Sequence, residues 1–414
     1  MDLPINHNAP TIMHIDLDSC FATIEQQANP LLRGKPLVVA AYATPNGCVL
    51  SPSIEVKRFG VKTGMSVRDA RLLCKGVIVR TPDPPKYRDV HMKFRAIFND
   101  YSPNVSPRSI DEAIIDFTGT PYLKRGLVEI GNEIKKRMKQ EIGEWIWCSI
   151  GIAPNRFLAK LGAGLKKPDG MVVITHENLM SIYAKIKLKD LHGINTKNEA
   201  RLNINGIFTP TQFFKASENT LRSLVFKGIM GYYWYLRLRG WEIDAVDWDR
   251  KSFGQEYSLG KQTDDPEEIS RILMKLCEKM GRRLRSAGSA AQGIHVACLY
   301  KDMTHWHRGK KVEQQLYTTP ELYRKAQWLL NQQPERKVIR KLAVSCFDLM
   351  ASKTPQMELF DVAVDKRRQV SDAMDKINDR YGEFVITPAI MLGMNDLVLD
   401  RIAFGNVKGI EELY

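Results

Sequence analysis

Four carboxylates form two short acidic groups that lie far apart in the sequence. Asp16 and Asp18 fall within residues 11–18, where alternating apolar and polar side chains predict a half-buried strand. Both carboxylates then face the same side of that strand, together with His14. The other two acidic residues, Asp111 and Glu112, come directly before an apolar run at residues 113–117 that predicts a second strand.

Adjacent residues point to opposite faces of a regular strand, so Asp111 and Glu112 can serve one site only if the strand begins or bends there. One interpretation is a hydrated strand end, where acidic residues are common. The other is a cluster shared with Asp16, which would offer the hard oxygen ligands that magnesium prefers.

The elements around these residues alternate between strands and amphipathic helices. Further strands are predicted at residues 37–41, 146–153 and 171–174, and a helix is predicted around residues 130–142. Residues 176–243 are typical of short helices punctuated by glycine, and a polar connector follows at residues 244–253. Beyond it the sequence predicts helices at 266–286 and 322–331 and strands at 294–300, 313–317 and 341–349. This alternation predicts an α/β or α+β core in a chain of several domains.

Length and composition limit the function classes. The chain has 414 residues, with 61 Lys and Arg against 47 Asp and Glu, a formal net charge of +14. Ordinary hydrophobic and charged fractions exclude a disordered or collagenous chain, and the apolar runs fall short of the ~20 residues of a membrane span. No signal peptide is recognised, so we expect a cytoplasmic protein. The positive charge favours a surface that binds nucleic acid over one that only aids solubility.

Seven cysteines are scattered along the chain, and they include no Cys-x-x-Cys pair that would indicate a zinc site. We predict that they are reduced core residues.

Three motifs in order resemble those of the Y-family DNA polymerases, the lesion-bypass class. They are HIDLDSCFA at residues 14–22, SIDEA at 109–113, and GIAPN at 151–155 continuing to AKL at 159–161. The resemblance is strong over residues 11–170 and looser up to 350. It implies a multidomain fold of the α+β class, a right-hand polymerase with a palm, small fingers, a helical thumb and a mixed α/β little finger. The implied bounds are 1–20 and 80–175 for the palm, 21–79 for the fingers, 176–243 for the thumb, 244–253 for a linker, 254–350 for the little finger, and 351–414 for a clamp-binding peptide and tail.

The same resemblance implies a catalytic centre with two Mg²⁺ ions. Asp16 and Asp111 would share the metals, and Glu112 would hold the ion nearest the primer. The Leu17 carbonyl would complete the nucleotide-side ion, with Asp18 as a supporting acid.

Three further residues are implied to bind the incoming nucleotide. Phe21 would lie under the sugar and exclude ribose, although a core phenylalanine is the alternative. Lys57 and Lys160 would contact the triphosphate. The sequence departs from the family at Ile54 and Lys57, where a tyrosine and an arginine are usual, so the bidentate grip of arginine is lost.

The segments NGCV at 46–49 and EVK at 55–57 resemble the branch containing the catalytic subunit of bacterial polymerase V more than polymerase IV.

DNA contacts are implied in two regions. LHGIN at residues 191–195 resembles a helix-hairpin-helix, in which Gly193 and Ile194 would present backbone N–H groups to a phosphate, against the alternative of an ordinary helix connection. In the little finger we predict sequence-independent backbone contacts, against the alternative of a solvated face, from four basic residues: Lys310, Lys311, Arg336 and Arg340.

The peptide QMELF at 356–360 resembles the sequence that binds the bacterial sliding clamp. Leu359 and Phe360 would insert into an apolar pocket and Gln356 would supply a polar anchor, unless these side chains pack on the chain's own tail.

The predicted function is template-directed, low-fidelity translesion synthesis from dNTPs on primer-template DNA. The sliding clamp is the expected partner, and SOS accessory proteins are further candidates. The alternatives are a catalytically silent DNA and clamp adaptor of a mutagenesis complex, and another palm-bearing enzyme such as a nucleotide cyclase.

Overall fold

The computed structural model describes residues 4–246, 250–352, 362–394 and 397–398. By its internal contacts the chain divides into two compact units, the first holding the described residues up to 246 and the second those from 250 onward. Among the described residues, no helix has both the length and the apolarity that a bilayer crossing requires.

The first unit combines short strands with helices. Its strands are β1 (Ile12–Leu17), β2 (Leu37–Ala40), β3 (Val49–Pro52), β4 (Ile78–Arg80), β5 (Val105–Pro107), β6 (Glu112–Asp116), β7 (Cys148–Ala153) and β8 (Met171–Val173). Its helices are α1 (Cys20–Ala28), α2 (Ile54–Lys57), α3 (Val67–Leu73), α4 (Pro84–Asn99), α5 (Leu127–Glu141), α6 (Arg156–Leu165), α7 (Leu179–Tyr183), α8 (Thr196–Ile204), α9 (Pro210–Lys215) and α10 (Ile229–Leu238).

A five-stranded sheet with the order β5-β6-β1-β7-β8 carries both acidic groups. β1 lies between β6 and β7 and is antiparallel to both. The predicted half-buried alternation along β1 is wrong, because this central strand is covered on both faces and even His14 is only 1% exposed. Asp16 is the one β1 residue with intermediate exposure.

Two smaller assemblies complete the first unit. The three-stranded sheet β3-β2-β4 packs with α2 and α3 around Val38, Val49 and Val56. Residues 179–238 form the short helices that the glycine pattern predicted, joined by turns in which Gly193 has a φ of 92° and Gly206 a φ of 77°. Such φ values favour glycine over residues with a Cβ.

The second unit is a four-stranded antiparallel sheet with helices on one face. Its elements are β9 (Ser252–Thr263), α11 (Pro266–Ser286), β10 (Ser289–Tyr300), β11 (His305–Leu316), α12 (Thr319–Leu330), β12 (Ile339–Ala351) and α13 (Val362–Tyr381). The strand order is β11-β10-β12-β9. The core lies between the sheet and α11, whose predicted bounds are confirmed.

Two expectations for this unit need correction. β11 begins at His305, eight residues before the predicted strand, because its basic run belongs to an edge strand, where charged side chains are common. β9 begins at Ser252, inside the predicted connector.

The described part of the tail packs on the second unit. Asp375 of α13 forms an ion pair with Arg285 of α11, whose side chain is 3% exposed. Met391, Met394 and Val398 join the core of this unit.

The cysteines are all free. Six are buried as predicted, but the prediction is wrong for Cys48, which is exposed and lies outside the sheets at an isolated bridge to Ser66.

Candidate active site

The two acidic groups meet where β1 ends and β6 begins. Asp16 lies directly opposite Glu112 in the antiparallel pair, so both side chains are on the same face of the sheet. Asp111 immediately precedes β6, and its carbonyl accepts a hydrogen bond of 2.9 Å from the Leu17 N–H. The strand does begin at this point, which is the condition under which both Asp111 and Glu112 can serve one site.

The carboxylates lie close enough to affect one another's protonation. Burial, with smaller contributions from Glu112 and Asp111, raises the pKa of Asp16 to about 6 against the opposing charge of Lys167. Burial and then the charge of Glu112 also raise the pKa of Asp111, although a hydrogen bond from Ser109 opposes this shift. Ionising these buried neighbouring carboxylates therefore costs free energy, and a bound cation would reduce that cost.

Two lysines oppose this charge. The Lys160 Nζ is 2.6 Å from a Glu112 carboxylate oxygen, and Lys167 contacts Asp16 and lies 3.7 Å from Asp18. Burial alone would raise the pKa of Glu112, but the ion pair with Lys160 holds it below its ordinary value.

A close helix-strand contact places Lys160. Gly151 of β7 lies against α6, and a Cβ on it would come within 1.9 Å of the Ala159 carbonyl oxygen. The glycine therefore lets α6 approach the sheet and brings Lys160 to Glu112. Its predicted triphosphate contact stays a prediction.

His14 adds a nitrogen to the same cluster. Ligand atoms of His14, Asp16 and Glu112 all lie within 4.8 Å of one another. Burial lowers the pKa of His14 to about 3, so its imidazole is neutral, and neither ring nitrogen has a hydrogen-bond partner within the described chain.

Asp18 is a buried acid whose hydrogen bonds connect the segments around the site. Its carboxylate accepts hydrogen bonds from the Ser149 hydroxyl at 2.9 Å and from the Asp169 N–H at 2.8 Å, and its side chain is buried. It thereby ties β1 to β7 and to the turn that carries Lys167.

The other two predicted nucleotide contacts, Phe21 and Lys57, lie on α1 and α2. The Phe21 ring is 2% exposed and stacks on Tyr87 with a centroid distance of 4.3 Å. The Tyr87 hydroxyl donates to Glu25 at 2.9 Å. Lys57 ends α2, and desolvation followed by the charge of Lys167 lowers its pKa, against the opposing charges of Asp18 and Asp16.

The predicted thumb contacts, Gly193 and Ile194, lie just before the N-terminus of α8. Ile194 is buried, and its N–H, which was predicted to face a phosphate, donates instead to the Leu191 carbonyl at 3.0 Å. The Asn195 side chain caps α8 by accepting from the Asn198 N–H at 2.9 Å. A glycine at position 195 would leave the Asn198 N–H free of this side-chain contact. In this chain the Asn195 side chain occupies that N–H.

The four predicted little-finger contacts differ in their neighbours. Lys310 lies over the Trp328 ring at 4.7 Å, whereas Lys311 pairs with Asp348 at 2.8 Å. Arg336 is exposed, and the Arg340 guanidinium is 3.1 Å from the Met303 sulfur. The predicted clamp-binding residues Gln356, Leu359 and Phe360 lie outside the described residues.

Sequence reasoning missed three residues at this site. His14 was placed on the Asp16 face, and that shared face was the signal that it could join the cluster. Lys167 begins the turn sequence KPDG at 167–170, but nothing local shows that the turn folds back onto β1. The pairing of Tyr87 with Phe21 depends on tertiary packing.

Comparison with known proteins identifies the family. The chain matches the impB/mucB/samB family over residues 15–164 and the C-terminal domain of that family over residues 250–359. It is 32% identical to DNA polymerase IV of Pelotomaculum thermopropionicum over 94% of this chain and 97% of that protein. It is 31% identical to DNA polymerase IV 1 of Bacillus subtilis over 91% of each chain. Both relatives are named polymerase IV, so the predicted closeness to the polymerase V branch is not confirmed.

A solved structure shows the same architecture. A Y-family DNA polymerase chimera of Dbh and Dpo4 superposes with a TM-score of 0.72 at 25% identity, over 82% of this chain and 99% of that one. The predicted right-hand fold is confirmed. The chain therefore belongs to the Y-family of translesion DNA polymerases and is a DNA-directed DNA polymerase.

Proposed function

We propose that this polymerase carries out low-fidelity synthesis across damaged templates by two-metal nucleotidyl transfer from dNTPs to a primer 3′-hydroxyl. The observation that carries the proposal is the cross-strand pair of Asp16 and Glu112, with Asp111 beside it and a lysine on each member of the pair. No observation favours the adaptor or the cyclase alternative.

The donor set fits magnesium. Asp16, Asp111 and Glu112 supply hard oxygen atoms from two adjacent strands, and the Leu17 carbonyl is the further oxygen that we assign to the nucleotide-side ion. Lysine ammonium groups already lie against Asp16 and Glu112, which shows that positive charge is accommodated there. Two bound Mg²⁺ ions would activate the attacking hydroxyl and stabilise the charge on the leaving pyrophosphate.

The lysines orient the triphosphate. The sequence predicts this role for Lys57 and Lys160, and we assign it also to Lys167, which contacts Asp16 and lies 3.7 Å from Asp18. Ammonium groups that the carboxylates release on metal binding can turn to phosphate oxygens. This arrangement substitutes for the tyrosine and arginine that are missing at Ile54 and Lys57.

Phe21 selects the sugar. Its stack on Tyr87 fixes the ring, and a fixed ring excludes a 2′-hydroxyl more strictly than a mobile one. Glu25 holds Tyr87 in turn through the tyrosine hydroxyl.

DNA and clamp contacts lie elsewhere in the chain. We assign backbone contacts to Gly193 and Ile194 in the thumb and to Lys310, Lys311, Arg336 and Arg340 in the little finger, within the domain bounds given above. Lys310, Lys311 and the Ile194 N–H already have partners within the chain, which are Trp328, Asp348 and the Leu191 carbonyl, and a DNA contact would share or replace them. Gln356, Leu359 and Phe360 would bind the sliding clamp, and SOS accessory proteins and kinship to the polymerase V branch stay predictions.

Primer extension tests the function. Wild-type protein should extend a primer past an abasic template site in the presence of Mg²⁺ and all four dNTPs, and Asp111→Asn should lose incorporation on damaged and undamaged templates alike. Asp116→Asn, at the other end of β6, is the matched control and should retain activity. Extension without a template, or full activity in Asp111→Asn, would reject the mechanism.

A further inference from the structure

Two histidines lie side by side on the sheet of the second unit. In the antiparallel pair of β10 and β11, His295 is opposite Gly309 and His307 is opposite Ala297, so both imidazoles are on one face. Ile294 and Val296 point to the other face, where the core lies. The His295 side chain is half-buried and that of His307 is exposed, so the pair is open to solvent.

Their spacing is that of two ligands on one metal ion. The Nε2 atom of His295 and the Nδ1 atom of His307 are 3.2 Å apart, and the ring centroids are 5.3 Å apart. Tetrahedral zinc binds imidazole nitrogen at roughly 2.0–2.1 Å, which puts two such nitrogens about 3.3–3.4 Å from each other. The two nitrogens already have nearly the separation that a shared ion requires, and the rings must turn so that both lone pairs point at it.

The neighbouring residues leave room for it. A Cβ at Gly309 would come within 3.1 Å of the His295 ring, so the glycine accommodates that imidazole. On the other side, β12 presents Ser345 opposite His295 and Ala343 opposite Ala297, both with small side chains. Partial burial, and then the proximity of His307, lower the pKa of His295, so its lone pair is available at neutral pH.

We propose that His295 and His307 bind one divalent transition-metal ion of the zinc, nickel and copper class on this face of the second unit. Imidazole suits these metals, whereas Mg²⁺ takes oxygen ligands. In the metal-free pair, the hydrogen bond between the rings requires a proton on one of the two facing nitrogens. On binding, that proton passes through solvent to the other nitrogen of the same ring, so that His295 carries its proton on Nδ1 and His307 carries its proton on Nε2. Two metal–nitrogen bonds then replace the hydrogen bond, with no net loss of protons from the neutral pair. Water completes the coordination.

The adjacent His305 supplies a matched control. Its ring is parallel to that of His307 at a centroid distance of 6.3 Å, and it lies opposite Leu299, one position further along the face. It shares the residue type, the strand and the exposure, but it does not share the short nitrogen–nitrogen distance.

Zinc titration of the full-length, metal-stripped protein tests the proposal. Isothermal calorimetry on wild type and on His295→Gln, His307→Gln and His305→Gln separates this site from zinc binding at the carboxylates, which all four proteins share. The first two variants should each lose one zinc site or bind it at least about tenfold more weakly, and His305→Gln should match wild type. Equal thermal unfolding of the metal-free proteins verifies that each variant is folded. Unchanged isotherms in His295→Gln and His307→Gln, or an equal loss in His305→Gln, would overturn the proposal.

Discussion

Asp16 on β1 and Glu112 on β6 are direct cross-strand partners. Lys160 of α6 contacts Glu112, and Lys167, in the turn after α6, contacts Asp16. Like charges placed opposite each other in a sheet are destabilising. The carboxylates of the site therefore repel one another. Lys160 and Lys167 offset part of this repulsion, and a pair of divalent cations would offset it more fully.

This cost predicts that the ionised Asp16 side chain lowers the stability of the metal-free protein. Because burial raises the pKa of Asp16 to about 6, its stabilising contribution is complete below pH ~4 and is lost as the pH rises through 6. The neutral variant Asp16→Asn should be more stable than wild type by about 1–3 kcal/mol at pH 7.5 without metal, and the difference should vanish near pH 4. Thermal unfolding in EDTA at both pH values measures this, and a less stable variant at pH 7.5 would contradict it.

A comparison of alanine variants at Lys167 and at its neighbour Lys166 distinguishes a specific contact of Lys167 from a general effect of positive charge. Both lysines are exposed, but Lys167 contacts Asp16 and lies near Asp18, whereas Lys166 is the C-cap residue of α6. Lys167→Ala should raise the KM for dNTP and lower kcat/KM by about 10- to 100-fold, through loss of a charge-assisted contact to the triphosphate. Lys166→Ala should change neither. Steady-state single-nucleotide incorporation measures both, and equal effects in the two variants would remove the specific role of Lys167.

The stack of Phe21 on Tyr87 predicts how sugar selection is lost. Phe21→Ala should raise the ratio of ribonucleotide to deoxyribonucleotide incorporation, and Tyr87→Leu should raise it less, because the Phe21 ring stays but loses its support. Tyr87→Phe keeps the stacked ring and should stay close to wild type. Competition assays with paired rNTP and dNTP substrates give the ratio.

Phe21 is fully buried, so Phe21→Ala costs about 3–5 kcal/mol of stability. Phe21→Val serves as a milder second variant whose folding can be verified by thermal unfolding. An unchanged sugar preference in both folded variants would eliminate the steric role.

Clamp binding is tested with two double variants. Leu359→Ala with Phe360→Ala should abolish binding of the intact protein to immobilised sliding clamp, because the two apolar anchors of the peptide are removed. Leu72→Ala with Leu73→Ala removes an adjacent apolar pair that is 75% and 46% exposed on α3, and it should bind normally. Surface plasmon resonance distinguishes them; a loss in both, or in neither, would count against the assignment.

Local patterns predicted some features well for physical reasons. The bounds of α11 follow from Asp265 as its N-cap, Pro266 at its first position and arginines in its last turn, all of which act within one helix. The meeting of Asp16 with Asp111 and Glu112 follows from motif order through the family resemblance. Strand bounds were less accurate where an edge strand such as β11 carries mostly polar residues.

Other features depend on contacts that no local pattern encodes. The coverage of β1 on both faces requires knowledge of its neighbours in the sheet, which is why His14 looked exposed. Lys167 reaches a carboxylate 151 positions away, and Arg285 finds Asp375 90 positions away. Such pairs are set by tertiary packing, so only the folded chain shows them.

The most direct test of the central claim is the anomalous scattering of Mn²⁺ in crystals of the polymerase with primer-template DNA and a non-hydrolysable dNTP. Two manganese peaks should appear beside the primer terminus, with carboxylate oxygens of Asp16, Asp111 and Glu112 within about 2.0–2.3 Å of them. Manganese bound away from these three residues, while DNA and nucleotide occupy the site, would contradict the account.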